Sequence, residues 1–140
     1  MKFIRVFAAL VVLPFIATLA LADEAAMKQQ AQSAGEQWLA VIDNGKYGES
    51  YDMAAPMFKA ALQKADWERS LRAVRAPLGN IVSRQLASAT YTTSLPGAPN
   101  GKYVVMQFNT NFQNKKDAVE TLTMVLADDG QWKSTGYFIR

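Results

Sequence analysis

Apolar and polar positions alternate with two periods, and the change from one to the other divides the chain. Up to Pro77 the apolar residues recur every three or four. Met27, Ala31, Ala34, Trp38, Val41 and Ile42 form one stripe, the spacing of a helix that buries a single face. The stripe predicts a helix over about Glu24 to Asp43, closed by Asn44-Gly45, since glycine takes the left-handed conformation that ends helices. Tyr47, Tyr51 and Ala54 predict a short second helix that stops before Pro56. Pro56 suits the first turn of a third, faced by Phe58, Ala61 and Leu62. Asp66 reads as the N-cap of a fourth, with Trp67, Leu71 and Val74 on one face and Pro77 as its stop.

From Leu78 onward the period is two. Val104, Met106, Phe108, Thr110 and Phe112 alternate with Val105, Gln107, Asn109 and Asn111, the cleanest strand pattern in the chain. Leu122, Met124 and Leu126 alternate with Thr121, Thr123 and Val125 in another. Asp128-Asp129-Gly130 predicts a tight turn into a last strand, Trp132 to Ile139. An earlier strand, about Asn80 to Tyr91, reaches the Tyr103 strand through Leu95–Gly101, and Asn114–Asp117 connects the middle pair. Connections this short imply an antiparallel meander. Helices followed by a curved four-stranded antiparallel sheet predict an α+β fold, with the helices packed on one sheet face.

The first residues follow neither pattern. Lys2 and Arg5 precede an apolar run, Val6–Leu19, and Ala20-Leu21-Ala22 has the small-x-small form of a cleavage site. Met1–Ala22 therefore reads as a secretory signal peptide cut between Ala22 and Asp23, which leaves Asp23–Arg140 as a single domain and predicts the periplasm. An uncleaved anchor is the alternative, and Pro14 interrupts the run it would need. Of 15 Lys and Arg, two belong to this leader, so 13 cations face 12 acids and the formal charge of +3 falls to +1. A domain so near neutrality carries no footprint for nucleic acid or an anionic membrane.

The chain has no cysteine and no histidine. Disulfides, lipid attachment at cysteine, thiolate or imidazole metal sites, and Ser-His-Asp or Cys-His catalysis are all excluded. Proton transfer would fall to Asp, Glu, Lys or Tyr. The sequence calls for no cofactor and no metal, and designates no catalytic residue.

Several segments together carry a family resemblance. They are Trp38-Leu39, Ile42-Asp43, Gly45-Lys46-Tyr47, Trp67, Pro77-Leu78-Gly79 and Ser83-Arg84, then Leu95–Tyr103, Glu120-Thr121, Asp129–Trp132 and Gly136-Tyr137. The set resembles an exported bacterial family, domain of unknown function 4019 (DUF4019). The resemblance implies a small cone-shaped α+β domain similar to nuclear-transport-factor-like proteins, with a concave sheet that helices close into a pocket. It implies no activity, because that fold hosts isomerases, hydrolases and binding modules alike.

Strand parity places two charges among apolar neighbours. Arg84 shares parity with Val82 and Leu86, and Glu120 with Leu122, Met124 and Leu126. If both face the concave side they line a pocket, where a guanidinium binds anions or a carboxylate acts as base. The competing role is a structural ion pair. Asp43, beside Gly45 and Tyr47, is either an acid/base group or a polar helix exit. Arg69, Arg72 and Arg75 make a basic stripe, anion-facing or simply solvated, with Glu68 placed to pair with Arg72. Trp38, Trp67, Phe108, Phe112, Trp132 and Phe138 are expected in the core, some of them shaping a cavity. The candidate ligand-binding set is Trp38, Asp43, Tyr47, Arg84, Phe108, Glu120 and Tyr137. These features favour a non-catalytic module for a small molecule or a periplasmic protein. A homodimer through the sheet and an acid/base enzyme using Asp43 or Glu120 are the alternatives.

Overall fold

The structure, a computed structural model, describes residues 15–140, with side chains from residue 18. Lys2, Arg5 and most of the expected apolar leader lie outside the described residues. Four helices come first: α1 (Phe15–Asp43), α2 (Tyr47–Asp52), α3 (Pro56–Ala61) and α4 (Lys64–Arg75), the last running into a 3-10 turn at Ala76–Leu78. Four strands follow, β1 (Ile81–Thr92), β2 (Tyr103–Phe112), β3 (Lys115–Leu126) and β4 (Trp132–Ile139). They form one open antiparallel sheet in the order β1-β2-β3-β4, the expected α+β meander.

Within the described residues α1 already runs from Phe15, upstream of the expected start near Glu24. The intervening Phe15–Asp23 segment is rich in alanine and leucine, strong helix formers, although Leu19 and Leu21 remain exposed and the first fully buried residue is Ala31. Its end is where the pattern placed it. Gly45 has φ +74°, its N–H donates to the Ile42 carbonyl at 2.9 Å, and the Lys46 N–H reaches the Val41 carbonyl at 3.1 Å. These two bonds make a Schellman closure, which occupies carbonyls the helix end would leave unpaired.

Three features of α4 differ from expectation. The N-cap is Gln63, and Asp66 lies in the first turn, where its charge suits the helix dipole and Arg69 binds it. Val74 is 48 % exposed, and Arg75 takes the buried place instead. Glu68 does not pair with Arg72: its carboxylate lies beside Gly48, 2.5 Å from where a Cβ there would sit.

α1 crosses the inner sheet face at Gly35. A Cβ at that position would stand 2.8 Å from Met106 Cε and 2.9 Å from Leu122 Cδ2, so the missing side chain lets helix and sheet approach closely. Trp38, Leu39 and Ile42 from α1 and Trp67 and Leu71 from α4 pack there on Val104, Met106, Phe108, Leu122 and Met124. Ser50 of α2, fully buried, joins the two indoles: its carbonyl accepts from Trp38 Nε1 at 2.8 Å and its hydroxyl from Trp67 Nε1 at 2.9 Å.

Bulges reset the strand alternation. Val82 and Ala87 lack partners in the β1–β2 register and Thr135 in the β3–β4 register, each an extra residue that turns its successors over. Val82 therefore points outward, 70 % exposed, while Arg84 and Leu86 face inward; it does not share their face as simple parity predicted. Phe138 is likewise 56 % exposed and not a core aromatic. The β2–β3 connection is shorter than expected. β3 starts at Lys115, and Asp117, with φ +55°, donates its N–H to Asn111 Oδ1.

Candidate functional site

Six polar side chains, each from a different element, meet where α1 and α4 end over the inner sheet face. They are Asp43 (α1), Arg75 (α4), Arg84 (β1), Thr110 (β2), Glu120 (β3) and Tyr137 (β4). The placement follows from local structure. The Schellman turn ends α1 at Asp43, the bulge at Val82 sets Arg84 inward, and Arg75 continues the buried i, i+4, i+8 row of Trp67 and Leu71.

Arg84 uses both forks of its guanidinium. Nε and Nη2 donate side-on to Glu120 at 2.5 and 3.0 Å, while Nη1 and Nη2 donate end-on to Asp43 at 2.8 and 3.0 Å. Such planar two-point pairing is the strong form of the arginine–carboxylate contact. Glu120 is fully buried, and its carboxylate also accepts from Thr110 Oγ1 at 2.6 Å and Tyr137 Oη at 2.5 Å. With four donors on one carboxylate, the charge is compensated rather than stranded.

The charges answer accordingly. Burial works against ionisation of Asp43, but the hydrogen bonds and positive charges of Arg84 and Arg75 outweigh it and hold its carboxyl below the usual value. Burial also opposes the charge on Arg84, and its two carboxylates override that and make the proton harder to remove. Tyr137 is driven well above the ordinary phenol value, first by burial and then by the Glu120 charge and hydrogen bond.

Arg75 is not singled out by the sequence, where it is one of three arginines in a stripe either anion-facing or solvated. Its side chain is 4 % exposed, Nη2 donates to Asp43 Oδ1 at 2.8 Å, and its guanidinium lies 4.9 Å from the centre of the Phe112 ring. Nε and Nη1 have no acceptor. Its spacing from Leu71 and Trp67 was the available signal. Thr110 was visible as an inner-face position of β2, though not as a partner of Glu120.

The expected site residues thus fall into three places. Asp43, Arg84, Glu120 and Tyr137 belong to the network. Trp38 and Phe108 are core, Trp38 meeting the Tyr137 ring edge-on at 5.5 Å and Phe108 lying opposite Glu120 in the β2–β3 register. Tyr47 stands apart from the hydrogen bonds but shares an open cleft of about 310 Å³ with Asp43, Asn44, Arg75 and Asn80. The network fills the space beneath, and the cleft lies over its Asp43–Arg75 edge. Among the described residues no group of three or more His, Cys, Asp or Glu could hold a metal, and no helix is long and apolar enough to cross a membrane.

A family model described as a protein of unknown function, DUF4019, matches residues 34–137, a span that contains the whole network. No curated protein matches the chain. A solved structure from Catenulispora acidiphila is similar in fold, with 15 % identity and a TM-score of 0.53 over 84 % of this chain and 93 % of its own.

Proposed function

We propose, for a chain that belongs to the DUF4019 family, the role of an exported, non-catalytic binding module that takes a small oxygen-bearing ligand in the cleft over Asp43 and Arg75. One observation carries this reading: a guanidinium 4 % exposed borders an open cleft while two of its three nitrogens lack acceptors. Buried donors are nearly always satisfied; both nitrogens are closed to solvent behind the cleft, so a ligand oxygen would reach them once the guanidinium swings towards the opening. Two carboxylates already balance Arg75 and Arg84, so the site needs an acceptor rather than another charge. A carbonyl- or hydroxyl-rich uncharged molecule suits it better than an anion.

The same geometry supports binding over acid/base chemistry. Both carboxylates are engaged by Arg84, and Asp43 is a weakened base. Export rests on the basic start, the apolar run and the Ala20–Ala22 cleavage pattern.

Native mass spectrometry of the protein purified gently from its own host tests the reading. We expect a chain beginning at Asp23 with added mass, and loss of that mass in Asn80→Ala at the cleft rim with an unchanged melting temperature. A bare chain, together with Arg75 Nε–H signals in NMR that glucose and N-methylacetamide leave unmoved at high concentration, would overturn it.

A further inference from the structure

We infer that a second surface, the groove between α4 and β4, takes an extended peptide that adds to the sheet as a fifth strand. β4 is an edge strand, and its hydrogen bonds show which of its backbone groups are free. Arg140 and Val119 exchange both N–H···O bonds, at 3.0 and 2.9 Å. Pairs along an antiparallel ladder alternate between bonded and non-bonded. Phe138, opposite Thr121, therefore turns its backbone into the sheet, and Tyr137 and Ile139 turn theirs outward. Ser134 confirms the phase from beyond the bulge, since its outward carbonyl accepts from the Ala55 N–H at 2.8 Å. That contact blocks the upstream half of the edge. Among the described residues, nothing in the protein pairs with the outward N–H and C=O of Tyr137 and Ile139.

Beside this free edge lies an apolar groove of about 180 Å³ walled by Trp67, Leu71 and Val74 on one side and Tyr137 and Ile139 on the other. An added strand would hydrogen-bond Tyr137 and Ile139 and turn every second side chain into the groove. The volume suits one aliphatic side chain at a time, and Val74 and the outward Phe138 are apolar and exposed beside it. Charge selects among peptides. Asp66 is held by Arg69 and Glu68 turns towards Gly48. Arg72 on α4 and Arg140 after Ile139 are exposed cations that no acidic side chain among the described residues pairs with. The occupant that fits is a strand alternating aliphatic and small polar residues, with an acidic residue at an end.

The probe is a panel of end-blocked heptapeptides that alternate valine or isoleucine with threonine and carry aspartate at one or both ends. Backbone N-methylated and lysine-ended versions serve as controls. In the free protein, the Tyr137 and Ile139 amides should exchange quickly with solvent. Peptide should shift their NMR signals and slow their exchange by about tenfold or more, and the N-methylated forms should not. Ile139→Pro removes an outward N–H that the sheet does not use, and Val74→Glu alters an exposed position, so both should fold and both should lose the peptide. The proposal fails if no peptide moves the two amides at millimolar concentration, or if the N-methylated peptides bind as well. It fails equally if the amides are already protected in a species of twice the mass, since a second copy then holds the edge.

Discussion

At the scale of single residues, Arg84 carries more of the architecture than any other polar side chain. It binds a carboxylate 41 residues away in one direction and another 36 residues away in the other. Arg84→Met would leave the fully buried Glu120 without its counter-charge, and breaking a buried pair from one side costs about 3–5 kcal/mol. For a domain of this size that is a fall of roughly 10–20 °C in melting temperature. Arg84→Met combined with Glu120→Leu should recover part of the loss, because the second change removes the stranded charge. A double variant no better than the single would show that Arg84 acts through its packing alone. The pairing of Arg84 with Glu120 was readable from strand parity even though Val82, used to set that parity, faces the other way. Arg75 was not readable in the same manner. Its burial depends on Asp43 and Phe112, 32 and 37 positions away, and a local pattern of arginines three apart points to solvent.

At the scale of elements, legibility followed locality. α1 stops where Asn44-Gly45 said it would, β4 runs over the expected residues, and Gly130 with φ +79° makes the expected turn. Each rests on backbone preferences within a few residues. The bulges at Val82, Ala87 and Thr135 are set by the partner strand, so no single-strand pattern reveals them. The N-terminus of α4 was misplaced because an aspartate favours a first turn for its charge as well as a cap for its hydrogen bond. Gly45 offers a clean test of the local contribution. A Cβ there would meet nothing within 4 Å, yet φ is +74°, so Gly45→Ala incurs a conformational cost alone, about 1–2 kcal/mol. The urea midpoint should fall by that free energy divided by the m-value, which itself stays unchanged; an unmoved midpoint would mean the α1 end readjusts freely.

For the whole molecule, the buried charges predict an unusual dependence of stability on pH. Asp43 has a lowered pKa in the folded state, so its contribution is complete above the unfolded value near 4 and disappears as pH falls through the folded one. Tyr137 has a raised pKa. Its contribution is complete below the unfolded value near 10 and is lost as pH climbs beyond it, when only the unfolded chain ionises easily. Between them the chain holds no histidine, so the folded protein should show a flat plateau from about pH 5 to 9. Denaturant midpoints across that interval should agree, then drop on both sides, the alkaline drop shrinking in Tyr137→Phe. A slope between pH 6 and 8 would contradict this account.

The two-forked Arg84 has one more consequence. Small domains commonly fasten distant segments with a covalent bridge, whose formation requires an oxidant and whose correct pairing takes time. Here the fastening is an ion pair that closes as the elements dock and places no constraint on the unfolded chain. Thiol reagents cannot cut it and no oxidase is needed to make it. The fold is blind to thiol–disulfide exchange: its refolding rate should be the same in reduced and oxidised glutathione, and its final state independent of which it met first.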